Sequence, residues 1–86
     1  MTEQQIQKKI IDKLTQQGWY VVKIIKCNKN GTPDLIACKE NETVWIEVKK
    51  PGEKLSPLQE YTIKQMRSKG LKVIVADSED LRIQNY

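Results

Sequence analysis

Apolar residues recur at helical spacing near the start of the chain, at Ile6, Ile10, Ile11 and Leu14. Thr2 supplies an N-cap with Gln5 as its capping-box partner, and Gly18 supplies a stop. The remaining face (Gln7, Lys8, Asp12, Gln16) is polar, so an amphipathic first helix is predicted. The rhythm changes at Trp19. Trp19–Lys26, WYVVKIIK, is β-branched and aromatic and predicts a strand. A turn-rich run from Asn28 to Pro33 follows, then a short strand at Asp34–Lys39. Glu40-Asn-Glu42 turns the chain into a third strand at Thr43–Lys49, and the second and third strands are close enough to form a hairpin.

Pro51-Gly52 breaks that strand. Ser56, Pro57 and Gln59 then form the start of a second helix: cap, first position and capping-box partner. Leu58, Tyr61, Ile63 and Met66 give this helix a mixed apolar face, and Gly70 ends it. Leu71–Ala76, LKVIVA, is almost continuously apolar, as expected of a strand buried on both faces. Ser78–Asp80 is expected to cap a last helical turn carrying Leu81 and Ile83. The order is α-β-β-β-α-β. Its last strand–helix–strand unit has the length of a right-handed parallel crossover. A single α/β domain spanning residues 1–86, with a mixed sheet, is therefore expected.

Composition narrows the chemistry. The chain has 86 residues and no histidine, which removes Ser-His and Cys-His mechanisms. Two cysteines, Cys27 and Cys38, are too few for a structural zinc site; both lie in strand-like sequence, where a free cysteine acts as a small hydrophobe. No stretch has the length of a membrane span or the apolar run of a signal peptide, so a soluble cytoplasmic protein is expected. The net charge is +4. Between Lys49 and Lys72 stand Lys49, Lys50, Lys54, Lys64, Arg67, Lys69 and Lys72, opposed only by Glu53 and Glu60. This basic half suits a polyanion. A domain this small also has a modest core, which makes a homodimer a reasonable expectation.

Within the third strand, alternation puts Val44, Ile46 and Val48 on one face and Trp45, Glu47 and Lys49 on the other. Periodicity alone is satisfied by a core face and a wet face. Asp34 alone is explained as a turn residue, and Trp45 by packing, by the site or by a dimer interface. In a hairpin, however, the start of the second strand meets the end of the third. Asp34, Glu47 and Lys49 could then converge. Two carboxylates that close repel each other unless a cation lies between them. They make a hard oxygen site for Mg²⁺ or Mn²⁺, and a nearby lysine can position water and offset phosphate charge.

Pro33-Asp34, followed by Glu47-Val48-Lys49, resembles the PD-(D/E)xK nuclease signature. The wider set is Gly31-Thr-Pro-Asp34-Leu35, Ile46-Glu47-Val48-Lys49, Leu55-Ser56-Pro57-Leu58-Gln59, Gly70 and Val73-Ile74-Val75. It resembles the VRR-NUC branch, in particular its small stand-alone phage members. That resemblance implies a restriction-endonuclease-like core with helices flanking the mixed sheet and, for a phage protein, the host cytoplasm. It implies Asp34, Glu47 and the backbone carbonyl of Val48 as metal ligands, with Glu3 as a further ligand. Lys49 would orient the attacking water, and Gln59 would complete the site. Gln59 is equally explained as the cap partner of Ser56, and Glu3 as an acidic residue in a helix first turn. Asn30 stands where the family often has an arginine.

The expected function is a metal-dependent endonuclease that hydrolyses DNA phosphodiester bonds. The basic segment would hold the backbone. With no base-reading insertion, selectivity would come from DNA shape, such as a four-way junction or flap. The rival reading is a non-catalytic nucleic-acid-binding or assembly module that keeps the nuclease fold; binding RNA through the same basic surface is a third.

Overall fold

The structure, a computed structural model, describes residues 1–81. In chain order the elements are α1 (Glu3–Gln16), β1 (Tyr20–Lys23), β2 (Leu35–Lys39), β3 (Glu42–Val48), α2 (Pro57–Ser68) and β4 (Lys72–Ala76). The strands lie in the order β1-β2-β3-β4. The first three are antiparallel, and β4 is parallel to β3. The expected α-β-β-β-α-β order and mixed sheet are both present.

Both helices start as their sequences direct. The Thr2 hydroxyl accepts from the Gln5 N–H at 3.1 Å, and the Gln5 side chain accepts from the Thr2 N–H at 2.8 Å. Ser56 and Gln59 repeat the arrangement at 3.1 and 3.0 Å. Each box satisfies two N–H groups that a helix end otherwise leaves unpaired. The β2–β3 hairpin closes through Glu40 and Asn41, both at positive φ (48° and 67°). That is the two-residue turn whose twist matches paired strands. It fixes the register Leu35↔Ile46 through Lys39↔Glu42.

One face of the sheet carries Leu35, Ala37, Val44, Ile46, Val48, Ile74 and Ala76, which form a single core with Ile6, Ile10 and Leu14 of α1. Ile10, Leu35, Val44, Ile46 and Val48 are fully buried; each contributes about 1.5–3 kcal/mol by leaving water. The other face is covered unevenly. Val22, Ile36, Trp45 and Val73 form one row across the four strands. Val73 is buried, Trp45 and Ile36 are half-buried, and Val22 is exposed. Helix α2, which packs on β4, therefore covers only one side of this face.

Several expectations change. The first strand ends at Lys23, not Lys26. It is an edge strand whose only partner, β2, is preceded by Asp34 and by Pro33, which has no N–H to give. Pairing stops after the Ile24 N–H reaches the Asp34 carbonyl at 2.8 Å, and Ile25 is 88 % exposed. Cys27 consequently lies in an exposed loop, while Cys38 is on β2. β4 is also an edge strand, and on it Val75 is 45 % exposed instead of buried, while Val73 on the same face is 4 % exposed. On α2, Leu58 and Tyr61 are exposed and only Ile63 is buried. Gln7, expected on the polar face of α1, is 8 % exposed. Asp77–Glu79 forms a bend, after which the Ser78 hydroxyl accepts from the Asp80 N–H at 3.2 Å. The helical turn expected beyond it reaches Ile83, outside the described residues.

Candidate metal centre

The hairpin delivers Asp34 and Glu47 to the same place. The register that pairs Leu35 with Ile46 sets the preceding Asp34 opposite Glu47. Asp34 is held there from both sides. Its Oδ2 accepts from the Val48 N–H at 2.9 Å, and its carbonyl accepts from Ile24. The turn before it is shaped by α2: the Thr62 hydroxyl donates to the Asn30 carbonyl at 3.2 Å, and Gly31 lies hard against Leu58 and Thr62. A Cβ at Gly31 would sit 2.9 Å from Thr62 Oγ1 and 3.1 Å from the Leu58 carbonyl oxygen, and φ there is +81°. Only glycine accommodates both conditions.

Glu3 completes the cluster from α1. One carboxylate oxygen each of Glu3, Asp34 and Glu47 lie within 4.8 Å of one another. Glu47 is 2 % exposed, and its Oε1 is buried with no hydrogen-bond partner. An anion in that position is costly. Burial, then the hydrogen bond and charge of Asp34, push the Glu47 carboxyl up to about 8, and Glu3 adds to the effect; Lys49 opposes it. Without a cation, Glu47 is thus favoured in its protonated form near neutral pH. A cation among the three oxygens would replace that proton. The set is all oxygen, it comes from three rigidly placed elements, and it includes a buried acceptor without a donor. It fits a hard divalent ion.

Lys49 is 8 % exposed, on the same side of β3 as Glu47. Its N–H continues the ladder to the Ala76 carbonyl at 2.9 Å. Val48 meets the site through its N–H to Asp34. Gln59 is occupied otherwise: its side-chain oxygen accepts from the Ser56 N–H, so it serves the start of α2. The basic half is partly consumed by the fold. Arg67 donates to the Val73 carbonyl at 2.7 Å, and Lys72 pairs with Glu42. Lys50, Lys54, Lys64 and Lys69 are exposed.

The sequence reading missed Gln7. A signal for it was present: positions 3, 7, 10 and 14 form one helical stripe, and Glu3, Ile10 and Leu14 on that stripe all face inward.

Known proteins resemble this chain in sequence and fold. Residues 1–80 match the profile of the VRR-NUC domain family. Over 80 residues, 92 % of this chain and 86 % of its relative, the sequence is 32 % identical to "Putative nuclease p44" of Acyrthosiphon pisum secondary endosymbiont phage 1. A solved structure described as a VRR_NUC domain superposes with a TM-score of 0.81 at 26 % identity, covering 90 % of this chain and 85 % of the other. The chain therefore belongs to the VRR-NUC family of nuclease domains.

Proposed function

We propose that this nuclease domain is a divalent-metal-dependent endonuclease that cuts DNA, with a preference for branched substrates. The observation that carries the reading is the meeting of Glu3, Asp34 and Glu47, with one buried Glu47 oxygen lacking a partner. A binding module gains nothing from three carboxylates facing a polyanion.

Glu3, Asp34 and Glu47, with the Val48 carbonyl, would hold Mg²⁺ or Mn²⁺. Such an ion supplies charge neutralisation at the scissile phosphate and a lowered pKa for water. The protein's own contribution is placement. Asp34 is fixed by the Val48 N–H, and Glu47 by burial. Lys49, on the Glu47 side of β3, orients the attacking water and offsets charge on the phosphate. Gln59 contributes by holding the first turn of α2, which packs on the loop leading into Asp34. Exposed Lys50, Lys54, Lys64 and Lys69 hold the DNA backbone, an affinity without base identity.

A homodimer is supported by the bare half of the sheet. Tyr20 and Val22 are 74 % and 40 % exposed, and they adjoin a groove of about 560 Å³ lined by Ile24, Trp45, Tyr61, Met66 and Leu71. A second copy covering that face would present two sites to two strands. Among the described residues no helix is long and apolar enough to cross a membrane.

The test is cleavage of a four-way junction, a flap and a linear duplex with Mg²⁺ or Mn²⁺. Cutting of the branched forms at least tenfold faster is expected. Equal rates on all three would remove the shape preference, and no cleavage of any with either metal would remove the enzyme.

A further inference from the structure

Gln7 is a buried polar residue on α1 whose Oε1 has no hydrogen-bond partner. Leaving an amide oxygen unpaired in the interior costs about 1–3 kcal/mol, so native folds seldom do so without a reason. The only other buried side-chain oxygen in that condition among the described residues is Glu47 Oε1, in the carboxylate cluster.

The position of Gln7 explains the pairing. It stands one turn after Glu3, and residues four apart on a helix are surface neighbours. Helical side chains lean toward the N-terminus, which directs the Gln7 amide over the turn that carries Glu3. The rotation about the helix fixes its flank. Lys9 and Lys13 pair with Glu79 and Asp80, so their flank of α1 runs along the segment after β4. At 100° per residue Gln7 falls on the opposite flank, away from the segment after β4 and toward the β1 side of the sheet, on which α1 also packs. Glu3 lies one turn behind it along the helix, and a carboxylate oxygen of Glu3 is within 4.8 Å of Asp34 and Glu47.

We propose that Gln7 is a positioning residue for the metal centre, its amide oxygen accepting a hydrogen bond from a water of the bound cation's hydration shell. The inference rests on the metal-site reading above. Mg²⁺ keeps several waters when it binds carboxylates. Those waters can only donate, and a buried, unpaired acceptor beside Glu3 is what one of them requires. Outer partners of this kind hold the inner ligands in place, and their loss weakens metal binding roughly ten- to hundredfold.

The test separates this role from simple packing. Gln7→Met keeps the volume and removes the acceptor; Gln7→Glu keeps an acceptor oxygen. Metal affinity is read by calorimetry of the full chain titrated with Mg²⁺ and with Mn²⁺. Melting is read separately in EDTA. Gln7→Met is expected to melt in EDTA no lower than wild type, because an unpaired polar group has gone, yet to bind Mg²⁺ at least tenfold more weakly. Gln7→Glu is expected to bind within threefold of wild type or tighter. Affinity in Gln7→Met within twofold of wild type overturns the proposal, as does Gln7→Glu binding as weakly as Gln7→Met. If wild type binds neither metal, the metal-site reading itself fails, a different result from either of these.

Discussion

Replacing Glu47 with glutamine is expected to remove the main loss of stability with rising pH in the metal-free protein. In the folded chain the Glu47 carboxyl is raised from 4.5 to about 8, first by burial and then by Asp34. The native state therefore holds a proton that the unfolded chain has released, and stability falls as pH rises between those values. Below about pH 4.5 both states are protonated and nothing is lost. Above about 8 both are ionised and the full penalty applies. The gap of 4.5 to about 8 sets a ceiling of about 5 kcal/mol. A third of that ceiling would move the melting midpoint of a domain this size by roughly 10 °C. Gln cannot ionise and fills nearly the same space, so Glu47→Gln escapes the penalty. Thermal melts in EDTA at pH 5, 7 and 9 check this. Wild type should lose stability across the series relative to the variant, with most of the difference established by pH 8. Parallel curves for the two proteins would refute the argument, because they would mean that Glu47 ionises as easily inside the fold as outside it.

Metal binding should carry the same proton. Apparent Mg²⁺ affinity is expected to rise about tenfold per pH unit up to about pH 8 and then level off; calorimetry in two buffers of different ionisation enthalpy should show close to one proton released at pH 7. Gly31→Ala should lower stability by about 1–3 kcal/mol through left-handed strain, and more if Thr62 and Leu58 cannot move aside; urea melts measure it. Because that turn leads into Asp34, the same variant should also bind metal more weakly. Ile46→Ala, at a fully buried position of the core, should cost about 2–5 kcal/mol, with the metal-free melt as readout.

The parts of this molecule that were legible in advance are those set by local rules. Two capping boxes determine where both helices begin, whereas the turn expected over Glu40–Glu42 uses only Glu40 and Asn41, so β3 starts at Glu42 and the register differs by one residue from a three-residue turn. That Asp34 and Glu47 gather at one end of the hairpin is readable from spacing; that they stand directly opposite follows from the tighter turn. What was hidden depends on which elements cover which faces. β1 stops at Lys23 because it has one partner and that partner begins after a proline. Val75 and Tyr61 are exposed because α2 covers Val73 but not the whole of that face of the sheet. Gln7 looked solvated because its residue type outweighed its place on the Glu3–Ile10–Leu14 stripe. Glu47 gave no hint in the sequence that its carboxyl would hold a proton; that follows from the depth of its burial beside a second carboxylate.

Glu3, Asp34, Glu47 and Lys49 are expected to act as one metal-dependent cutting site. The most direct measurement is the single-turnover cleavage rate of a labelled four-way junction with Mn²⁺, for wild type, Glu47→Gln and Lys49→Ala, each confirmed folded by circular dichroism. Wild type should cut, cutting should stop in EDTA, and both variants should be slower by at least a hundredfold. Cleavage by both folded variants at the wild-type rate, or wild-type cleavage undiminished by EDTA, would contradict it.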